Sequence, residues 1–91
     1  MMKRYKFTFR YERDVWHGDT VTIKYRGHEV GTIGHSPHKI RLSVVGSDKN
    51  NPNCGWRWIT YKKTFDTFDE AKLWLNENRD AILDKYELRL D

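Results

Sequence analysis

Cysteine is almost missing from this chain. Cys54 stands alone, so no intramolecular disulfide can form, which agrees with a reducing compartment. Proline is limited to two residues, and no Pro/Ser linker, repeat or low-complexity tract divides the chain. Long apolar runs are absent too. None approaches the roughly 20 residues that a bilayer-spanning helix needs, and no charged-then-apolar leader opens the sequence. The expectation is a cytoplasmic protein with no membrane partner. Also lacking are a Gly-rich phosphate loop, a nucleophile elbow and an HExxH pair, so no enzyme is expected.

What is present fits one packed domain over residues 1–91. The chain has 91 residues, 37% of them apolar and 14% aromatic, and disordered chains are poor in large rings. A chain of this size buries roughly two-thirds of its unfolded surface, and its stability should be about 5–14 kcal/mol. Charge is unevenly shared. Residues 1–65 hold 13 Lys/Arg and 5 Asp/Glu, a net +8, whereas residues 66–91 hold 4 and 8, a net −4. Such segregation points to an acidic partner on the basic side.

The basic part reads as strands. Tyr5, Phe7, Phe9 and Tyr11 alternate with Lys6, Thr8 and Arg10, the period of a half-buried strand. Residues 20–26 repeat the alternation, Gly27-His28 marks a tight turn, and residues 29–33 return as a partner strand. Gly31 and Gly34 within it mark a bulge or an edge. Residues 39–44 alternate again, residues 46–55 are turn formers, and residues 56–65 form a further strand. At 67–70, Thr-Phe-Asp-Glu matches a capping box. From there Phe68, Ala71, Leu75, Ile82 and Tyr86 share one stripe at 100° per residue, which predicts one helix from 68 to 86, with Asn78 a weak point. Leu88 and Leu90 alternate with charges and suit a short terminal strand. The expected fold is α+β: an antiparallel sheet of four to five strands packed on one C-terminal amphipathic helix.

The helix should cover the ring-bearing face. The opposite face then carries Lys6, Arg10, Lys24, Arg26, Lys39, Arg41, Lys62, Trp56 and Trp58, with no acidic residue in phase on the three best strands. A merely solvated face accounts for the lysines but not for the segregation of charge. Two other clusters carry less. His35 and His38 are three apart, but zinc needs three or four convergent ligands, and His17, His28 and Cys54 have no matching spacing. Cys54 lacks an assured base to activate it. Asp69, Glu70, Glu77, Asp80, Asp84 and Glu87 read as a solvated helix face. Neither a metal nor any other cofactor is expected.

The strand at 39–44, the segment Trp56-Arg57-Trp58 and the stretch 63–71 together resemble the small three-stranded-sheet-plus-helix DNA-binding domains, such as the N-terminal arm-binding domains of phage and transposon integrases. The resemblance covers about half the chain, and the extra N-terminal strands depart from it. It implies a sheet that enters the major groove with the helix behind it, and Arg41, Arg57 and Lys62 as groove or phosphate contacts. The leading expectation is therefore a non-catalytic nucleic-acid-binding module, DNA ahead of RNA. Lys24, Arg26, Lys39, Arg41 and Lys62 would hold phosphates, and Trp56, Arg57 and Trp58 would stack or reach a groove. Four engaged phosphates would give a log–log salt slope of about −3.6 on duplex. The alternative is a small inhibitor or adaptor of phage or mobile-element type that binds a host or defence protein through an acidic surface.

Overall fold

The computed structural model describes residues 5–13, 18–36 and 39–89, without the side chains of Ser36 and Cys54. Strands β1 (Phe7–Glu12), β2 (Thr20–Tyr25), β3 (His28–Ser36) and β4 (Lys39–Asp48) follow one another, and a single 3-10 turn (Pro52–Cys54) precedes β5 (Arg57–Thr60). Helices α1 (Phe68–Glu77) and α2 (Arg79–Lys85) come next, and β6 (Tyr86–Leu88) ends the described chain. All strand pairs are antiparallel, in the order β1-β2-β3-β4-β5, with β6 also on β4. The fold is α+β, as the sequence implied.

The β2–β3 turn shows why local sequence fixes the hairpin. Arg26 and Gly27 have φ of 53° and 82°, the two positive values that a type I′ turn requires. The turn thus begins one residue earlier than expected, and Arg26 belongs to it, not to a strand. Beyond the turn, Lys24 faces Glu29 and Ile23 faces Gly31, so Val30 is an extra residue on β3. This bulge reverses the alternation. Val30 and Ile33, three apart, are both fully buried, which strict alternation forbids. At Gly31 the backbones meet closely: a Cβ there would lie 2.1 Å from the Ser43 carbonyl oxygen. Gly31 does mark a bulge, but β3 is an interior strand rather than an edge.

β4 is longer than its alternation predicts. Residues 46–48, read as turn, continue the strand because they find pairing partners. Gly46 faces Arg57 on one edge and Leu88 on the other. The strand expected over 56–65 is instead β5, a bend at 61–64, and an isolated pairing of Phe65 with Ile40. The register slips by two residues between these pairings.

Both helices lie on one face. Thr67 caps α1, its hydroxyl accepting from the Glu70 amide at 3.1 Å, while the Glu70 carboxylate reaches back to the Asp66 amide at 3.2 Å, one residue beyond the usual box. The single predicted helix is broken at Asn78, whose side-chain amide donates to the Trp74 carbonyl at 2.8 Å. A short polar side chain bonding to the backbone competes with helix propagation. The stripe itself holds: Ala71, Leu75, Ile82 and Tyr86 are buried and Phe68 packs beside them, although Tyr86 already belongs to β6. They meet Phe7, Val21, Ile23, Leu42, Val44 and Phe65 across the layer. Tyr5 and Tyr11, expected in this core, are 61% and 56% exposed at its margin. No helix among the described residues is long and apolar enough to cross a membrane.

Candidate functional site

With both helices on one side, the opposite face of the sheet is uncovered by any described element. Alternation along the strands brings a row of hydroxyls across it. Thr22 faces Thr32, Thr32 faces Ser43, and Ser43 faces Thr60, with the Ser43 and Thr60 hydroxyls 2.9 Å apart. The chain forms this row because Val21, Ile23, Ile33, Leu42, Val44 and Ile59 turn the other way into the core.

On one side of the row, Val45 faces Trp58 and accepts a backbone hydrogen bond from Arg89 at 3.2 Å. Trp58 is 60% exposed. Together with Lys24, Gly27, His28 and Glu29 these residues line an open depression. Trp56, just before β5, lines an adjoining depression at the end of the sheet with Tyr25, Leu83, Tyr86, Leu88 and Arg89. Lys49 lines it too, but its ammonium donates to the Leu83 carbonyl at 2.6 Å and secures the end of α2. On the other side of the row, Arg41 faces Gly34 and is exposed.

The face is less purely basic than the sequence implied. β1 extends to Glu12, and Glu29 stands on β3; Arg10 donates to Glu12 at 2.6 Å and to Glu29 at 2.5 Å. Those hydrogen bonds, Glu12 first and Glu29 second, raise the Arg10 pKa. Lys39 pairs with the Asp66 carboxylate, which raises the lysine and lowers the acid. The exposed setting keeps such pairs weak, yet each occupies a cation assigned to a partner.

The expected site residues therefore separate. Lys24, Trp58 and Trp56 gather near one end of the sheet; Lys39 and Arg41 lie toward the other end of β4. Four residues from Arg41 to Val45 span about 13 Å of strand. Lys62 is exposed in the bend after β5, with no strand pairing to fix its direction. Two assignments change. Arg57 falls in phase with buried Ile59 on the helix side, because side chains alternate along β5. Arg26 sits in the turn with its guanidinium 5.3 Å from the centre of the Tyr5 ring, a cation–π contact. Arg89 is the residue that sequence reasoning missed. The alternation of Leu88 and Leu90 carried the signal, since a terminal strand with Leu88 inward turns Arg89 outward.

His35 packs edge-on against Phe68, ring centres 5.5 Å apart. His17, His38 and Leu90 lie outside the described residues, as does the Cys54 side chain. No group of three or more His, Cys, Asp or Glu with metal-holding geometry occurs among the described residues. Compared with known proteins, the chain matches no family model, no curated protein and no solved structure.

Proposed function

We propose that this protein is a non-catalytic nucleic-acid-binding module that uses the open face of its sheet. One observation carries the reading: on a face free of any described covering element, the exposed Trp58 indole stands beside Lys24 and Arg89. Cations neutralise phosphate, and an indole offers a stacking surface to a base. The carboxylates of residues 69–84 belong to the helix layer on the opposite side. Glu87, read from sequence as part of that helix face, instead lies on β6 between buried Tyr86 and Leu88 and turns outward with Arg89. A polyanion on the sheet therefore meets Glu87 and Glu29 beside the cations. Lys24, Arg41 and Arg89 are the phosphate contacts in this reading. Arg89, like Lys39 and Arg10, takes a phosphate only by exchanging an interaction it already makes within the protein.

An electrophoretic shift series tests this with short single-stranded and duplex oligonucleotides of mixed sequence at 50 mM salt. Retention that weakens as salt rises supports it; no retention of any oligonucleotide overturns it. A second reading, a small inhibitor or adaptor that docks on a protein, draws on the same ion pairs. A face of mixed charge with one exposed indole, and a second at the end of the sheet beside α2, has the composition of a protein interface. Affinity capture from nuclease-treated lysate separates the two: a stoichiometric protein partner that survives the nuclease favours the adaptor.

A further inference from the structure

We infer that the polynucleotide this face takes is single-stranded, an inference that rests on the nucleic-acid reading and narrows it. Three observations point that way. Width is the first. Five neighbouring strands, β1 to β5, set about 4.8 Å apart, span about 19 Å between the outermost backbones. The major groove of B-DNA is about 12 Å wide and the minor groove about 6 Å. A three-stranded ribbon fits the wider groove, but the added β1 and β2 lie in the plane of the sheet and broaden the face beyond it. Side chains in the middle of this face cannot reach the base edges of an undistorted B-form duplex, which would meet the protein only along its rim of phosphates.

Position of the indole is the second. Trp58 stands on β5, the outer strand of the sheet, with its side chain on the open face. It lies over the sheet beside Val45, with Arg89 beyond. Its exposed ring needs a base presented face-on, which a paired and stacked base does not offer and an unpaired base does.

The hydroxyl row is the third. Thr22, Thr32, Ser43 and Thr60 run across the strands next to Trp58. Hydroxyls both donate and accept. Thr32 already donates to the Val21 carbonyl and one of Ser43 and Thr60 donates to the other, so the row offers its remaining donors to phosphate oxygens and its acceptors to sugars and base edges of any sequence. Lys24 and Arg41 lie on opposite sides of that row and can take phosphates of one extended strand crossing it. The arrangement is sequence-tolerant: stacking and charge do the binding, and nothing in the row distinguishes one base from another.

Fluorescence anisotropy of end-labelled 12-nucleotide oligo-dT, oligo-rU and a mixed-sequence 12-base-pair duplex, titrated with the whole chain at 50 mM salt, tests this. Both single strands should bind at least tenfold more tightly than the duplex. Three phosphate contacts on a single strand predict a log–log salt slope of about −2, a loss of about twentyfold between 50 and 200 mM salt. Trp58→Ala should weaken single-strand binding by about tenfold while Trp58→Phe retains most of it, and the melting temperature of each variant shows that it is folded. Duplex bound as tightly as single strands overturns this inference and leaves the nucleic-acid reading standing. A folded Trp58→Ala that binds like the parent overturns the stacking role. Binding of none of the three overturns both readings at once.

Discussion

On the helix-covered face of the sheet, Ile33, Leu42 and Val44 are wholly out of solvent, whereas their sequence neighbours Thr32, Arg41 and Ser43 are not. One residue along a strand moves a side chain between these environments. The covered face is held by apolar burial and close backbone approach, so its residues are constrained by volume. The open face is held by hydroxyl contacts and exposed ion pairs, each worth little. Loss of stability should therefore follow changes to the first face and to the strand spacing, and loss of partner binding should follow changes to the second.

The largest effect should come at Gly31. A methyl group there would sit 2.1 Å from the Ser43 oxygen, against backbone that cannot swing aside. Gly31→Ala should cost about 3 kcal/mol or more, at or above the upper end of ordinary overpacking because the obstacle is backbone, read as the drop in urea midpoint. A change near zero would mean that β3 and β4 are not packed this closely. Asn76→Ala comes next. From α1 its side-chain oxygen accepts from the Phe7 amide at 2.8 Å and its amide donates to the Phe7 carbonyl at 3.2 Å. This covers part of the edge of β1 as another strand would. Its removal should cost about 1–3 kcal/mol, and hydrogen exchange at Phe7 should accelerate. Exchange unchanged at Phe7 would show that the helix does not hold that edge.

Tyr61 sharpens the comparison by reversing the sign. Its hydroxyl is buried with no hydrogen-bond partner among the described residues, and burial, aided by Tyr86, pushes its pKa up to about 12 from an ordinary value near 10. A raised pKa favours the protonated, folded form. That contribution is complete below pH 10 and is lost as pH rises through about 12. Tyr61→Phe should leave stability at neutral pH unchanged or slightly higher, because an unmet hydroxyl is removed. It should also abolish the latest phase of tyrosine ionisation in an alkaline absorbance titration. Persistence of that phase in the variant would assign it to another ring.

On the open face, Trp58→Ala should change stability by no more than about 0.5 kcal/mol, as expected of an exposed site, however strongly it affects binding. The smallest effect should be at Asp66. Lys39 lowers its pKa, so the pair contributes fully above the ordinary carboxylate value near 3.9 and is lost as pH falls below it. Asp66→Asn should flatten the acid limb of stability only slightly, and less in high salt. A large change in acid melting temperature would contradict so exposed a pairing.

Much of this molecule could be read without coordinates, and the reasons are local. Alternation over 5–11, 20–26 and 39–44 reports which side chains are apolar two residues apart, and burial on one sheet face demands that pattern. Thr67, Glu70 and the 3.6-residue stripe report a helix start and its inward face. What the sequence did not reveal depends on residues distant along the chain. Val30 enters the core only because β3 bulges against β2. Residues 46–48 become strand only because β5 and β6 supply partners for groups that a turn would leave to water. Arg10 and Lys39 look available to a partner until the fold delivers Glu29 and Asp66 to them. Arg57 looks like a companion of Trp58 until the pairing with β4 sets its phase, and Arg89 joins the open face only through β6. Side-chain periodicity is written in neighbouring residues, so the sequence by itself determined the two faces. Register, strand count and charge pairing join segments tens of residues apart, so only the tertiary structure decided how wide the open face is and which of its cations are already engaged.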